Sequence, residues 1–212
     1  AQVRLYVGEN LSYENEKIIE QTAGELTEYE GDALCVICAV NEKAEELRMT
    51  HGLKDEEMIR GKVPMTKEEV RTVSLAKLRL KKDSVCYDVG AGTGSVSIEM
   101  ALRVPEGMVY AIEKKEEAVE LIKKNRQKFA ADNLQVVRGL APEALEELPA
   151  PTHAFIGGSS GNLEQIISLL LRKNPEVRIV INCIALETLS ETLRVIRKFR
   201  FRFSETVQVG VS

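Results

Sequence analysis

The sequence predicts an α/β protein: a mostly parallel sheet flanked by helices, with a small N-terminal α/β appendage. Three observations predict it. After Pro64, short runs of strand-forming residues alternate with helical runs, the pattern of a parallel sheet covered on both faces. At the first of these alternations, "VCYDVGAGTGSVSIEM" (residues 85–100) sets Gly90, Gly92 and Gly94 on alternate positions where strand becomes helix. Residues 1–45 do not follow the alternation, and a charged stretch separates them from the rest.

Taken in order, "VRLYV" reads as a strand, "ENEKIIEQTAGEL" has helical spacing, and "ALCVICAV" reads as a buried strand. Cys35 and Cys38 form a C-x-x-C in that last run. Their odd separation points them to opposite faces of a strand. His51 and His153 are the only histidines, a poor supply for a zinc cluster. The expectation is core thiols in a reducing, cytoplasmic setting, with no metal site. Residues 46–61 are charged with little apolar periodicity and read as a linker, leaving 62–212 as the main domain. "TKEEVRTVSLAKL" predicts an amphipathic helix that turns Val70, Val73, Leu75 and Leu78 inward, with Thr66 and Glu69 at capping-box spacing. Strands "SVCYDV", "MVYAI", "LQVVR", "HAFI" and "VRIVINCI" follow, each with a helical run after it. "FRFSETVQVGVS" reads as one more strand.

Composition narrows the function classes. At 44% hydrophobic over 212 residues the chain can bury a real core. A net charge of −4 and 5% aromatic residues argue against a nucleic-acid binder. No apolar run reaches membrane-spanning length, and no basic-then-apolar signal opens the sequence.

Glycines between strand and helix let the backbone approach a ligand closely, beside a helix N-terminus that favours negative or polar groups. The spacing sorts the candidates. A dinucleotide fingerprint needs G-x-G-x-x-G, and here Ser95 stands where the third glycine belongs. A phosphate-binding loop needs Lys-Ser/Thr after its last glycine, and Gly94 is followed by Ser95 and Val96. What remains is acid-x-G-x-G-x-G over Asp88, Val89, Gly90, Ala91, Gly92, Thr93 and Gly94. This resembles motif I of the Rossmann-like class I S-adenosylmethionine-dependent methyltransferases. Glu113 ends "MVYAIE", where an acid for the ribose hydroxyls belongs. Plainer roles stay open: a first-turn acid complementing a helix dipole for Glu113, and a turn cap for Asp88.

Four blocks carry a closer resemblance: "GKVPMTKEEVR", "DVGAGTGSVSIEMA", "APEAL" and "FIGGSSGNLEQII". Over roughly residues 60–205 the chain is similar to the decarboxylating domain of the precorrin-6B C(5,15)-methyltransferases of corrin biosynthesis. Residues 3–41 resemble the tail of the tetrapyrrole methylase that acts at carbon 5. The resemblance implies S-adenosylmethionine as methyl donor, held by Thr66, Asp88, Gly90, Ala91, Gly92, Thr93, Gly94, Glu113 and Ala141. It implies a precorrin or cobalt-precorrin as substrate, methylation at carbon 15, and loss of carbon dioxide from the ring C acetate. It also implies a homo-oligomer, a tetramer in relatives, with no nucleic-acid or membrane partner. The turn at Gly157, Gly158 and Ser159 is the expected catalytic edge for the macrocycle, with a plain strand-to-helix turn as the alternative. Lys62, Lys67, Arg71 and Arg103 are candidate partners for its carboxylates, or else solvated surface charges. His153 opens a strand, the wrong end for an open α/β site. The family shows Asp where this chain has Leu140, which removes one acceptor for the adenine. The chain is also expected to stop after the first strand of the family's terminal antiparallel pair, leaving an open sheet edge at 207–211. Two other readings remain: another small-molecule or RNA methyltransferase on the same scaffold, and a non-catalytic fragment.

Overall fold

The computed structural model describes residues 3–41, 52–199 and 201–211. They fall into two compact units, Ala1–Arg48 and Met49–Ser212.

The first unit is a three-stranded antiparallel sheet. β1 (Arg4–Glu9) is central, flanked by β2 (Lys17–Thr22) and β3 (Cys35–Val40). The helix expected from "ENEKIIEQTAGEL" does not form. Ile18, Ile19 and Thr22 are β-branched, and residues 17–22 pair with β1 from Glu9↔Lys17 to Arg4↔Thr22. A cross-strand ladder thus outweighs local helical spacing. Glu9 is buried and accepts from the Tyr29 hydroxyl (2.9 Å) and the Asp32 N–H (3.0 Å). The expected burial of Cys35 and Cys38 is also overturned: both are exposed. β3 is an edge strand, and Val36 and Ile37 between them are exposed as well.

The second unit contains five parallel strands in the order β6-β5-β4-β7-β8: β4 (Val85–Val89), β5 (Met108–Glu113), β6 (Leu134–Arg138), β7 (His153–Ile156) and β8 (Arg178–Ile181). The helices are α1 (Glu68–Leu78), α2 (Ser95–Arg103), α3 (Glu116–Lys128), α4 (Leu163–Lys173) and α5 (Leu186–Lys198). Alternation along each strand decides which helix layer it feeds. Cys86, Val109, Ala111 and Phe155 pack with Leu75 and Leu78 of α1, Met100 of α2 and Ile122 of α3. Tyr87, Val89, Tyr110 and Ile112 pack on the other face with Leu163, Ile166 and Leu170 of α4 and Val195 of α5. The chain builds outward from β4 to β6, then returns to lay β7 on the other side of β4. That reversal is the topological switch point, where open α/β sheets bind ligands beyond the strand C-termini.

Three expectations fail in this unit. Residues 52–61 are not a linker. Leu53 and Met58 are 1% and 4% exposed and belong to the core, around a short 3₁₀ turn at Asp55–Glu57. The rest of the expected linker, 46–51, lies outside the described residues. The capping box does not form: Lys67 is the N-cap of α1, with no side-chain cap bond, and the Glu68 carboxylate accepts the Asp55 N–H instead (3.0 Å). Residues 201–211 are not a strand. An extended segment becomes a strand only when a neighbour meets its N–H and C=O groups. This one is held instead by Phe201 against the core and by a Glu205–Lys77 ion pair (2.8 Å). No described helix is long and apolar enough to cross a membrane.

Candidate functional site

β4 delivers the glycine turn to the switch point. Gly90 (φ +75°) and Gly92 (φ +58°) both lie in the left-handed region, which glycine enters freely. Close approach is a second reason for them. A Cβ on Gly90 would stand 2.7 Å from the Gly158 carbonyl oxygen, and one on Gly92 would stand 3.0 Å from that of Pro64. The turn after β7 is thus brought against the turn after β4. The N–H groups of Gly157 and Gly158 both donate to the Val89 carbonyl (2.9 and 3.2 Å). On the side where a Cβ of Gly158 would project there is no atom within 4 Å. The result is a floor built of glycine backbone at the N-terminal end of α2, open on the Gly158 side.

Below this floor, Asp88 is buried (1% exposed) and one of its oxygens accepts from the Ser97 hydroxyl. Burial pushes its pKa up to about 7. Its Oδ1 and the Thr93 Oγ1 are buried polar atoms without a hydrogen-bond partner. Such atoms are uncommon in folded proteins, and they suit the polar end of a ligand lying on the glycines. Ala91, between them in sequence, is half-buried.

Glu113 ends β5 beside the turn. Its Oε2 accepts the Gly92 N–H (3.0 Å), and its Oε1 accepts those of Lys114 and Lys115 (2.8 and 2.9 Å). The carboxylate therefore serves the backbone leading into α3, the plainer role, and is also braced at the rim of the floor. The Gly139 N–H donates to the Glu113 carbonyl (3.0 Å), which ties the loop after β6 to the same place. In that loop Ala141 is buried, Leu140 is half-exposed, and the Ala141 carbonyl accepts from Asn162 (3.0 Å).

Thr66 is half-buried on the segment whose Pro64 carbonyl lies over Gly92. Lys62 and Lys67 flank that segment and are exposed, Lys67 lying 3.8 Å from Asp55. Asn125 of α3, not anticipated from the sequence, locks the arrangement. Fully buried, it accepts the Ile59 N–H (2.8 Å) and donates to the Ile59 and Thr93 carbonyls (3.1 and 3.0 Å). A polar residue on the apolar stripe of Ala118, Leu121 and Ile122 was the available signal.

Two expected substrate cations are elsewhere. Arg71 is fully buried, bound to Glu99 (2.9 Å), Asp55 (2.7 Å) and the carbonyls of Thr66 and Leu53 (2.6 and 2.5 Å). It fastens residues 53–66 to α2 and is out of reach of a macrocycle. Arg103 ends α2 at the opposite edge of the sheet, 3.6 Å from Glu99. His153 lies at that far edge too, hydrogen-bonded to Thr152 (2.8 Å), its pKa pushed down by burial and by Arg178 and Lys81. Among the described residues, no group of His, Cys, Asp and Glu could hold a metal ion.

A parallel sheet of this order, with a glycine turn ending its central strand and an acid ending the next, defines a class I methyltransferase. Residues 58–206 match the precorrin methyltransferase domain family, and the chain belongs to that family. Among curated relatives, it is 44% identical over 164 residues to a probable cobalt-precorrin-6B C(15)-methyltransferase (decarboxylating) of Sulfurisphaera tokodaii, covering 76% of this chain and 85% of that one. Among solved structures, precorrin-6y C5,15-methyltransferase from Geobacter metallireducens is 42% identical with a TM-score of 0.67, covering 69% of this chain and 79% of that one. A precorrin 8W decarboxylase from Methanobacterium thermoautotrophicum is 36% identical with a TM-score of 0.65, covering 69% and 80%.

Proposed function

We propose that this chain transfers a methyl group from S-adenosylmethionine to carbon 15 of a precorrin, with loss of the ring C acetate carboxyl as carbon dioxide, in cobalamin biosynthesis. The observation that carries the reading is the glycine-backbone floor, open at Gly158, where the turns after β4 and β7 meet beside the braced Glu113 carboxylate. The names of the relatives above supply the substrate class.

The cofactor supplies an electrophilic methyl group when bound. Asp88 and Thr93 offer their unpartnered oxygens to its methionine end. The Glu113 carboxylate offers acceptors to the ribose hydroxyls. The loop at Leu140 and Ala141 borders the adenine and offers backbone groups to it. Thr66 and its segment close over the turn. Gly157, Gly158 and Ser159 form the edge on which the macrocycle lies, so that carbon 15, methyl and sulfur can line up. Positioning of this kind lowers a barrier by removing translational and rotational entropy before reaction. In the second reaction the carbon–carbon bond to the carboxylate breaks, carbon dioxide leaves, the conjugated macrocycle holds the electron pair, and a proton from water then completes the new methyl group. The hard chemistry then resides in the substrate, and no strong protein base is required.

Titration calorimetry with S-adenosylhomocysteine tests the cofactor half of the reading. Wild type should bind one ligand per chain, and Glu113→Ala should bind more weakly. No heat with the folded wild type would defeat the proposal.

A further inference from the structure

A substrate with many carboxylates needs a cation where the glycine floor opens, and Arg71 and Arg103 do not supply it. Lys114 is placed to do so. It follows Glu113 directly at the end of β5, and its Nζ donates to the Ser160 Oγ at 3.0 Å. β5 and β7 are the two neighbours of β4. A bond from the end of β5 to the loop after β7 therefore passes over the C-terminal end of β4 and its glycine turn.

Three features separate this lysine from an ordinary surface charge. Its partner is a neutral hydroxyl, and among the described residues Lys114 makes no ion pair. Arg138, at the end of β6, pairs with Glu116, and Lys67 lies near Asp55; Lys62 and Lys115 are exposed and are not distinguished from Lys114 on this ground. Second, Ser160 holds a φ of +52°, a conformation that costs a non-glycine residue energy and gathers at functional sites. Third, the loop around it is open: a Cβ on Gly158 or Gly161 would meet no atom within 4 Å.

We propose that Lys114 is the contact for a peripheral carboxylate of the macrocycle, and that Ser160 holds its ammonium over the site until the substrate arrives. A carboxylate is the stronger acceptor for an ammonium, so the exchange of partners favours binding. The inference rests on the tetrapyrrole reading above.

The probes are uroporphyrin, an octacarboxylate tetrapyrrole followed by fluorescence quenching, and S-adenosylhomocysteine followed by calorimetry. Wild type, Lys114→Ala and Lys114→Arg are compared at two salt concentrations. Lys114→Ala should weaken uroporphyrin binding by about five- to tenfold, as for losing a charge-assisted hydrogen bond near the surface. It should also flatten the salt dependence and leave S-adenosylhomocysteine affinity unchanged. Lys114→Arg should restore most of the macrocycle affinity. Equal uroporphyrin binding by wild type and Lys114→Ala overturns this inference and leaves the proposed function standing. A matching loss of S-adenosylhomocysteine affinity also overturns it, since Lys114 would then serve the cofactor. Wild type that binds S-adenosylhomocysteine but no uroporphyrin overturns the tetrapyrrole reading and this inference with it.

Discussion

Replacing Gly90 by alanine puts a methyl group where two backbone turns already touch. The added Cβ would lie 2.7 Å from the Gly158 carbonyl oxygen, 2.9 Å from its nitrogen and 3.0 Å from its Cα. Ordinary contact begins at 3.4 Å, so one turn must retreat by roughly 0.7 Å, and no flexible side chain can absorb it. The φ of +75° adds a second cost. An alanine forced into the left-handed region loses about 1–2 kcal/mol, and overpacking of this kind costs about 1–3 kcal/mol more. The sum, about 2–5 kcal/mol, corresponds to a fall in Tm of roughly 4–20 °C for a domain of this size. Gly158→Ala is the control. Its Cβ would meet nothing within 4 Å and its φ needs no glycine, so its Tm should stay within about 2 °C of wild type. It would nevertheless obstruct the open floor, and methyl transfer should fall. Thermal unfolding of both variants, followed by circular dichroism, decides the matter. A Gly90→Ala protein as stable as wild type, or a Gly158→Ala protein equally destabilised, would refute the account of how the two turns meet.

Glu113→Ala should weaken S-adenosylmethionine binding by about 1–3 kcal/mol; unchanged affinity in a folded variant removes Glu113 from the site. Arg71→Met should destabilise the fold by about 3–5 kcal/mol in urea titrations, because Glu99 and Asp55 lose the cation between them. A loss of substrate affinity with no loss of stability would return Arg71 to the site. Asp88 gives a pH signature. Its carboxyl titrates at about 7 in the folded chain, against an ordinary value of 3.8 for an aspartate in water. Between these values the unfolded chain releases the proton and the folded chain keeps it, so stability falls as pH rises through the window. Ligand-free Asp88→Asn should lack that slope and gain on wild type from about pH 4 to about pH 7. A Tm difference that stays constant across the window contradicts the raised pKa.

The five parallel strands were legible because each is sandwiched between helix layers and reads as a short apolar or β-branched run. β6 and β7 begin and end where "LQVVR" and "HAFI" do. Their order in the sheet was not legible, since periodicity does not say that β7 returns to β4. Motif I and Glu113 were legible from spacing, and they converge. Arg71 was misread as a substrate cation for a physical reason. An arginine looks the same in sequence whether solvent or two carboxylates surround it, and Asp55 and Glu99 reach Arg71 from 16 and 28 positions away. Leu53 and Met58 escaped notice because isolated apolar residues in a charged stretch show no period. β2 was lost because "KIIEQT" suits either period, and only its pairing with β1 decides. Lys114 carried no signal; its place over the glycine turn arises only from the folded order of β5, β4 and β7.

The central claim is tested most directly by incubating the purified chain with precorrin-6B and methyl-deuterated S-adenosylmethionine, then locating the label by mass spectrometry and NMR. The account predicts a product with one labelled methyl on carbon 15 and one carbon dioxide lost from the ring C acetate. A label on carbon 5, or bound cofactor with no methyl transferred and no carbon dioxide released, would contradict it.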